Sequence, residues 1–186
     1  STFEFDHTTA NATPKAISAS GASRRVGLRH FRDFIAFPMV PLGRLAERGL
    51  AVAITVPRVV LRPLATGDEA ELLRIHRTSE VMRWWDAPDE GFPWDEPDSS
   101  RLTIEVDGRI AGMIQFAEET EPKYRHAAID LFVDPELHGQ GVGTAALRQA
   151  MAMLVDERGH HRLVIDPAVD NAAAVRCYAK AGFRTV

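Results

Sequence analysis

The stretch that decides the fold reads His138-Gly139-Gln140-Gly141-Val142-Gly143-Thr144, between an apolar run at 127–133 and a helical pattern at 143–157. Glycines at such a turn let the backbone bend tightly and approach a ligand without obstruction by a Cβ atom. The N–H groups at the start of the following helix favour an anion. The stretch therefore predicts either a pyrophosphate-binding turn or a plain strand-to-helix turn. It does not match a nucleotide P-loop, because no Gly-Lys-Ser/Thr follows.

A second informative stretch begins about 30 residues after these glycines and reads Asn171-x-x-Ala174-x-x-x-Tyr178-x-Lys180-x-Gly182-Phe183. Residues 171–181 are good helix formers, and Gly182 suits the left-handed residue that ends a helix. The apolar run Leu163-Val164-Ile165, which precedes this stretch, predicts a central strand. The order strand, helix, strand, helix favours an α/β sheet architecture.

Together the two stretches resemble the acetyl-CoA signature of the GNAT acetyltransferases, Arg/Gln-x-x-Gly-x-Gly/Ala followed by Asn-x-x-Ala-x-x-x-Tyr-x-Lys-x-Gly-Phe. The second part matches at every position, and the first departs only at His138. The resemblance covers about residues 57–186. It implies a GNAT fold, an α/β structure whose mixed, mostly antiparallel central sheet is flanked by helices. GNAT domains usually continue past the Gly-Phe with two more strands, so the resemblance also implies truncated C-terminal strands and an exposed sheet edge.

A narrower resemblance links the chain to the aminoglycoside 6′-N-acetyltransferases. Two motifs near the C-terminus carry it: Asp166-Pro167 with Asn171, and 176–183 with its Arg-Cys-Tyr and Lys-Ala-Gly-Phe segments. Two earlier motifs add to it: the pair Trp84-Trp85, and the Ile-Asp-Leu segment at 129–131. Siderophore-type N-acyltransferases share some of this pattern. The acceptor that the resemblance implies is therefore an amine, with a 6′-amine of an aminoglycoside as the first choice.

The resemblance implies acetyl-CoA as the acyl-donor substrate. Backbone groups near Phe132 and Val133 would receive the pantetheine arm, and a backbone N–H there would stabilise the developing oxyanion. The residues implied in cofactor binding are Phe132, Val133, His138, Gly139, Gln140, Gly141, Val142, Gly143, Thr144, Asn171, Ala174, Tyr178 and Lys180.

Two residues are implied in catalysis. Tyr178 would protonate the departing CoA thiolate as a general acid, or it is a buried packing tyrosine with a satisfied hydroxyl. Asp130 would bind the amine and accept its proton, or it faces outward from its strand. Asn171 would bind the cofactor, cap its helix, or do both.

The acceptor site is expected on an acidic, aromatic segment at 82–98, where six acids stand against one arginine. Carboxylates attract polyamines, and aromatic faces bind sugar rings or cations. The alternative is that this segment is a solvent-exposed loop without a binding role. The residues assigned to substrate binding are Trp84, Trp85, Asp86, Glu118 and Asp130.

Composition and residue spacing bear on nucleic acid, disulfides, metals and membranes. Residues 61–186 carry 14 Lys/Arg against 22 Asp/Glu, which disfavours nucleic acid as a partner. Cys177 is the single cysteine, which fits a cytoplasmic location and excludes an intrachain disulfide. The histidines show no metal-ligand spacing, so no metal is assigned, and His160-His161 is expected on the surface. No apolar run approaches the roughly 20 residues that span a bilayer, so no membrane partner is expected.

Two regions are predicted along the chain: an N-terminal extension at 1–56, flexible or irregular, and the acetyltransferase domain at 57–186. The domain should open with a strand at 58–62 and a helix ending near His76, and a loop covers 86–99. Asp107-Gly108 predicts a hairpin between strands at 102–106 and 109–116.

The functional hypothesis is acetyl transfer from acetyl-CoA to a primary amine of a cationic small molecule, an aminoglycoside first, with antibiotic resistance as the consequence. The alternatives are a siderophore, polyamine or protein amine as acceptor, and a non-catalytic CoA-binding module. Cys177 is interpreted as a small core residue and not as a nucleophile. Nothing else in the sequence resembles a Cys/His pair, which favours direct transfer in a ternary complex over an acyl-enzyme. A monomer or a homodimer is expected.

Overall fold

This computed structural model of the protein describes residues 2–6 and 57–185. Its seven strands are β1 (Phe3–Asp6), β2 (Val59–Pro63), β3 (Ser100–Val106), β4 (Arg109–Glu119), β5 (His126–Val133), β6 (Arg162–Ile165) and β7 (Arg184–Thr185). Its α-helices are α1 (Glu69–His76), α2 (Ser79–Met82), α3 (Val142–Ala152) and α4 (Ala172–Ala181). A short 3-10 helix covers Pro135–Leu137, and a π-helical turn at Met153–Glu157 follows α3.

All seven strands join one sheet in the order β2-β3-β4-β5-β6-β1-β7. Every neighbouring pair is antiparallel except β5 and β6, which run parallel. The expected mixed, mostly antiparallel sheet is therefore confirmed. No helix among residues 2–6 and 57–185 is long and apolar enough to cross a membrane.

The sheet opens between its two parallel strands. β5 pairs with β6 only at Ala127 and Ala128, opposite Leu163 and Val164. On its other side β5 stays paired with β4 along its whole length. Residues 129–133 therefore turn one backbone edge towards an opening that no other described strand fills.

Helices pack on both faces of the sheet. Because successive side chains of a strand point to opposite faces, β5 contributes to the packing on both. On one face, Ile129 and Val133 of β5 join the main core with α3 and α4. On the other face, Phe132 joins a smaller cluster with Leu72 and Ile75 of α1. Alternate residues of β5 thus serve two separate cores.

The local predictions for residues 57–185 agree with the structure. The predicted strands, the hairpin at Asp107-Gly108 and the two long helices are present, and β4 extends three residues beyond the predicted end. Gly182 is the left-handed residue after α4, with φ of 116°. The four-residue helix α2 was not predicted, since it is too short to show a periodic pattern.

The predicted N-terminal extension is wrong for its first residues and lies outside the described residues for 7–56. Residues 3–6 form strand β1, which lies between β6 and β7 and pairs antiparallel with both. The edge of β6, expected to be exposed, is covered by this strand.

A buried ion pair fixes the start of α1 against the sheet. The Asp68 carboxylate accepts hydrogen bonds from Arg62 at 2.7 and 3.0 Å, from the Ala65 N–H at 3.0 Å and from the Thr103 hydroxyl at 2.7 Å. Its bonds to Arg62, and then those to Ala65 and Thr103, hold the pKa of Asp68 well below its usual range. Asp68 therefore ties α1 to β2 and β3.

We expect Asp68→Ala to lower the free energy of unfolding at pH 7 by about 3 kcal/mol, because Arg62 loses its buried partner. Since the folded-state pKa of Asp68 is depressed, this contribution is present above a pH of about 4 and is lost as the pH falls further. Urea unfolding at several pH values measures both effects. Asp98→Ala, in the exposed loop, should change stability by less than about 0.5 kcal/mol. Equal losses in the two variants would contradict the role of Asp68.

Candidate active site

The glycine-rich turn presents backbone to the opening beside β5. Gly139 and Gly141 have φ of 77° and 84°, a region that favours glycine. The flanking polar side chains fold back onto the same segment: His138 Nε2 donates to the Val133 carbonyl at 2.9 Å, and Gln140 Nε2 donates to the Glu136 carbonyl at 2.9 Å. The departure from Arg or Gln at His138 therefore leaves the backbone of the turn available.

Helix α3 begins directly after this turn. The N–H of Ala145 bonds to the Gly141 carbonyl, so the N–H groups before it have no acceptor within the helix. A Cβ at Gly143 would lie 3.1 Å from Cys177 Sγ and 3.7 Å from Leu131 Cδ1. Glycine here lets the helix start lie close against β5 and α4. The turn, the helix start and the edge of 129–133 fit the pyrophosphate and the extended arm of acetyl-CoA.

The second predicted segment contributes a cap and a surface lysine. The Asn171 amide oxygen accepts from the Ala174 N–H at 3.1 Å, so Asn171 caps α4. Lys180 is exposed, and its backbone carbonyl accepts from Arg148 at 2.7 Å. The capping role of Asn171 is confirmed; its role in cofactor binding stays a prediction, as does that of Lys180.

Tyr178 lies in the main core, 5% exposed, between two aromatic side chains. Its ring makes edge contacts with Phe3 at 6.2 Å and with Phe183 at 6.4 Å between centroids. Burial, and then the charge of Asp130, raises the pKa of Tyr178 well above its usual value. The phenol therefore stays protonated at physiological pH and can donate a proton.

Asp130 is half-buried on β5, beside the opening of the sheet. Its Oδ1 accepts from the Leu131 N–H at 3.0 Å. Burial raises the pKa of Asp130 to about 7, and the charges of Asp166 and Glu96 add to the shift. A carboxyl with this pKa can bind or release a proton near neutral pH.

A cleft leads from the surface to Asp130. Five carboxyl side chains line it, those of Asp86, Asp89, Glu96, Asp130 and Asp166. Trp84 and Trp85 line it as well, so the structure brings the predicted tryptophan pair, Asp86 and Asp130 together. The acidic and aromatic segment predicted at 82–98 is thus part of a cleft wall.

Among the described residues, Arg101 is the one arginine that lines this cleft, and it was missed by sequence reasoning. It pairs with Asp95 and Glu96 and donates to the Pro93 carbonyl at 2.8 Å. Its Nε also donates to Gln115 Oε1 at 2.9 Å. Arg101 lies opposite Gln115 and Gln115 opposite Asp130, which places the three on one face. The sequence did not show this, because a bulge between Ile104 and Glu105 shifts the register by one residue from the one that the Asp107-Gly108 turn predicts. Carboxylates already neutralise Arg101, so the cleft remains negative.

An aromatic cluster forms the back of the cleft. The His76 ring contacts Trp85, Phe92 and Phe132 at centroid distances of 5.8, 5.1 and 5.2 Å. Burial lowers the pKa of His76 below its usual value, so the imidazole is neutral. Phe132 thus reaches the acceptor side of the sheet through its side chain, while only its backbone adjoins the expected path of the cofactor.

Glu118 is the one predicted substrate residue that lies elsewhere. Its carboxylate pairs with Arg158 and accepts from His160 Nε2 at 2.7 Å, away from the cleft lining. We therefore leave Glu118 out of the proposed site. His160 is 2% exposed, so its predicted surface position is wrong. Its bond to Glu118 compensates for its burial.

The family is identified by a match that covers most of the domain. The model of the acetyltransferase (GNAT) family matches residues 68–183. The chain belongs to the GNAT acetyltransferase family. Enzymes of this family use acetyl-CoA as the acyl donor, and the turn, the helix α3 start and the opening of the sheet lie where that donor fits.

Two kinds of curated relative act on cationic amines. The chain is 37% identical over 149 residues to an aminoglycoside N(6′)-acetyltransferase type 1 from Klebsiella pneumoniae, covering 67% of this chain and 73% of the relative. It is 28% identical over 135 residues to the spermidine N(1)-acetyltransferase of Escherichia coli K12, covering 67% and 72%.

Solved structures agree in fold. The aminoglycoside acetyltransferase AAC(6′)-Ib in complex with coenzyme A matches with a TM-score of 0.60 at 25% identity, over 68% of this chain and 84% of that chain. The spermidine N-acetyltransferase of Vibrio cholerae in complex with CoA and spermine matches with a TM-score of 0.58 at 22% identity, over 68% and 80%.

The raised pKa of Asp130 predicts a cost in stability. The pKa is about 7 in the folded state. In an unfolded chain it is about 4, so ionisation destabilises the fold increasingly as the pH rises between these two values. Asp130→Asn should therefore raise the free energy of unfolding by about 1–3 kcal/mol at pH 8 and leave it nearly unchanged at pH 4.

Urea unfolding at the two pH values tests this expectation. The asparagine keeps an oxygen that can accept from the Leu131 N–H. Asp98→Asn, on the exposed loop, is the matched control and should be neutral at both pH values. A pH-independent effect of Asp130→Asn would contradict the assignment of a raised pKa.

Proposed function

We propose that the chain transfers the acetyl group of acetyl-CoA to a primary amine of a cationic small molecule, with an aminoglycoside as the first candidate. One observation carries this proposal: Asp130 lies in the acidic cleft that two tryptophans also line. The charge of Asp130 in turn helps to raise the pKa of Tyr178. The cleft for the amine and the path for acetyl-CoA would thus meet at Asp130, which can accept a proton, and Tyr178, which can donate one.

The donor side is formed mainly by backbone. Acetyl-CoA supplies an activated thioester carbonyl to an attacking amine. The turn at 138–141 and the first N–H groups of α3 would hold its pyrophosphate. The edge of 129–133 that no described strand covers would hold the extended arm and orient the thioester towards Asp130. The His138 and Gln140 side chains bond to backbone carbonyls of the same segment, which agrees with a donor site formed by backbone groups of the turn.

Asp130 and Tyr178 have complementary proton states. An ammonium group cannot attack a thioester, so the acceptor must lose a proton, and Asp130 with a pKa of about 7 is suited to take it. Tyr178 keeps its proton because burial and the nearby carboxylate raise its pKa. It would give that proton to the leaving sulfur.

The charge of the cleft selects the class of acceptor. Of the lining residues in 57–185, five carry carboxyl groups and one is an arginine, which is itself paired with Asp95 and Glu96. A cluster of like charges in a cleft attracts cations and repels acids. Polycationic amines are therefore favoured over amino acids with a free carboxylate.

Aminoglycosides and polyamines both satisfy this charge requirement, and each class has a relative that acts on it. Trp84 distinguishes them physically, because its half-exposed ring lines the cleft and an aromatic ring can stack on a sugar. The Arg83 guanidinium lies over this ring, 4.7 Å from its centroid, so stacking would use the other face. A linear polyamine needs carboxylates more than a stacking surface. The tryptophan pair is why the aminoglycoside is placed first.

The test is CoA-thiol release from acetyl-CoA with kanamycin, spermidine, hydroxylysine and a lysine peptide as acceptors. We expect kanamycin to give the highest kcat/KM. Trp84→Leu should raise KM about ten-fold for kanamycin, since stacking on an aromatic face is worth about 1 kcal/mol or more, and should change KM for spermidine less than about two-fold.

Tyr178→Phe serves as the matched control for chemistry. It removes only the hydroxyl, so it should bind acetyl-CoA normally while kcat falls about a hundred-fold. Spermidine preferred over kanamycin would replace the aminoglycoside with a polyamine. Acetyl-CoA binding without release of thiol to any amine would contradict the enzymatic proposal and favour a binding module.

A further inference from the structure

Strand β1 occupies a position in the sheet that adjoins the site. It pairs with β6 from Phe3 opposite Ile165 to Asp6 opposite Arg162. On its other edge it pairs with β7 at Thr185 and Arg184. Among the described strands β7 pairs with β1 alone, so β1 connects β7 to the rest of the sheet.

Residues 2 and 3 are fully enclosed and contact groups of the site. Phe3 is 3% exposed and lies in the main core cluster. Its ring makes an edge contact with Tyr178, at 6.2 Å between centroids and an interplanar angle of 66°. Thr2 is buried as well, and its hydroxyl donates to Asp166 Oδ1 at 3.4 Å. Asp166 lines the acceptor cleft.

Tyr178 is therefore contacted by one residue of β1 and by one residue next to the strand that β1 pairs. Phe3 contacts one side of its ring directly. Phe183 contacts the ring at 6.4 Å, and it immediately precedes β7, which β1 pairs. An ion pair between Glu4 and Arg162 at 2.8 Å adds to the attachment of β1 to β6.

We propose that residues 2–6 are a positioning strand of the active site, in which Phe3 fixes the ring of Tyr178 for proton donation. This proposal rests on the proposed acetyl-transfer function. Phe3 is a positioning residue, since it acts through Tyr178. Aromatic edge contacts are directional, so an aliphatic side chain of similar size fills the space without orienting the ring. Displacement of a catalytic group by about 1 Å can cost a hundred-fold in rate.

The test uses Phe3→Leu in the full chain labelled with fluorotyrosine. The chain has two tyrosines, the buried Tyr178 and Tyr124, which is 62% exposed, so fluorine NMR gives one reporter and one internal reference. Tyr124→Phe assigns the two resonances. We expect Phe3→Leu to shift and broaden the Tyr178 resonance, to leave that of Tyr124 in place, and to lower kcat about ten-fold with both KM values nearly unchanged.

Leu154→Ala controls for loss of stability. Leu154 is fully buried in the same core cluster, and its truncation should cost about 2–4 kcal/mol. Measured well below its melting temperature, it should leave the Tyr178 resonance and kcat unchanged.

An unchanged Tyr178 resonance in Phe3→Leu would overturn the proposal, whatever the activity. A shifted resonance with full kcat would overturn it too, because β1 would then only cover the sheet edge. A wild-type chain that binds acetyl-CoA but acetylates no amine contradicts the proposed function instead, and the fluorine spectrum alone then decides whether Phe3 fixes the ring.

Discussion

The separation of β5 from β6 is the constraint on which the site depends. The two strands pair at only two positions, Ala127 and Ala128, and then diverge. Backbone N–H and C=O groups that lack a strand partner need another one. Within 129–133, the Leu131 N–H already bonds to Asp130 Oδ1 and the Val133 carbonyl to His138 Nε2. The remaining backbone groups of this edge can bond an extended ligand, and we propose that acceptor and donor meet at Asp130, beside the opening.

The glycine-rich turn and α3 complete this arrangement. Because Gly143 lets the start of α3 approach Leu131 and Cys177 closely, the free N–H groups of the helix lie next to the opening of the sheet. Anion binding at the helix and strand-like bonding along β5 then follow one continuous path. We propose that backbone groups set the position of the thioester, and a histidine at 138 is compatible with this because its side chain bonds to the Val133 carbonyl.

Burial raises the pKa of both residues proposed for proton transfer, Asp130 and Tyr178. It brings the pKa of the Asp130 carboxyl up to about 7, near physiological pH. It moves the pKa of the Tyr178 phenol further from that range, and the Asp130 charge reinforces this shift. A base that ionises near neutrality thus stands near an acid that stays protonated. The cost is a half-buried carboxylate that destabilises the folded chain when it is ionised.

The sequence predicted those parts of the structure whose signals are local. The glycine turn, α4 with its Asn171 cap and Gly182 end, and the hairpin at Asp107-Gly108 each depend on a few neighbouring residues. Strand β1 was missed although its four residues, Phe-Glu-Phe-Asp, alternate apolar and acidic side chains. The alternation is short, and the strand pairs with β6 more than 150 residues away. The bond between Glu118 and His160 joins residues 42 apart, so the burial of His160 was invisible as well.

The structure brings together several of the residues predicted for the acceptor site, and their roles stay predictions. Asp130 and the tryptophan pair line one cleft as predicted. Arg101 was missed, because its role depends on cross-strand neighbours that a reading along the chain does not compare. Glu118 was assigned to substrate binding because its charge lies beside the strand that leads to Asp130, and neither observation states which face of β4 the side chain occupies.

Amide hydrogen exchange with and without acetyl-CoA is the most direct test of the opening of the sheet as the donor site. The account predicts protection on binding in peptides that cover 129–133 and 139–145, and none in β2 (Val59–Pro63) at the far edge of the sheet. Protection confined to other segments, or binding that leaves 129–133 unchanged, would contradict it.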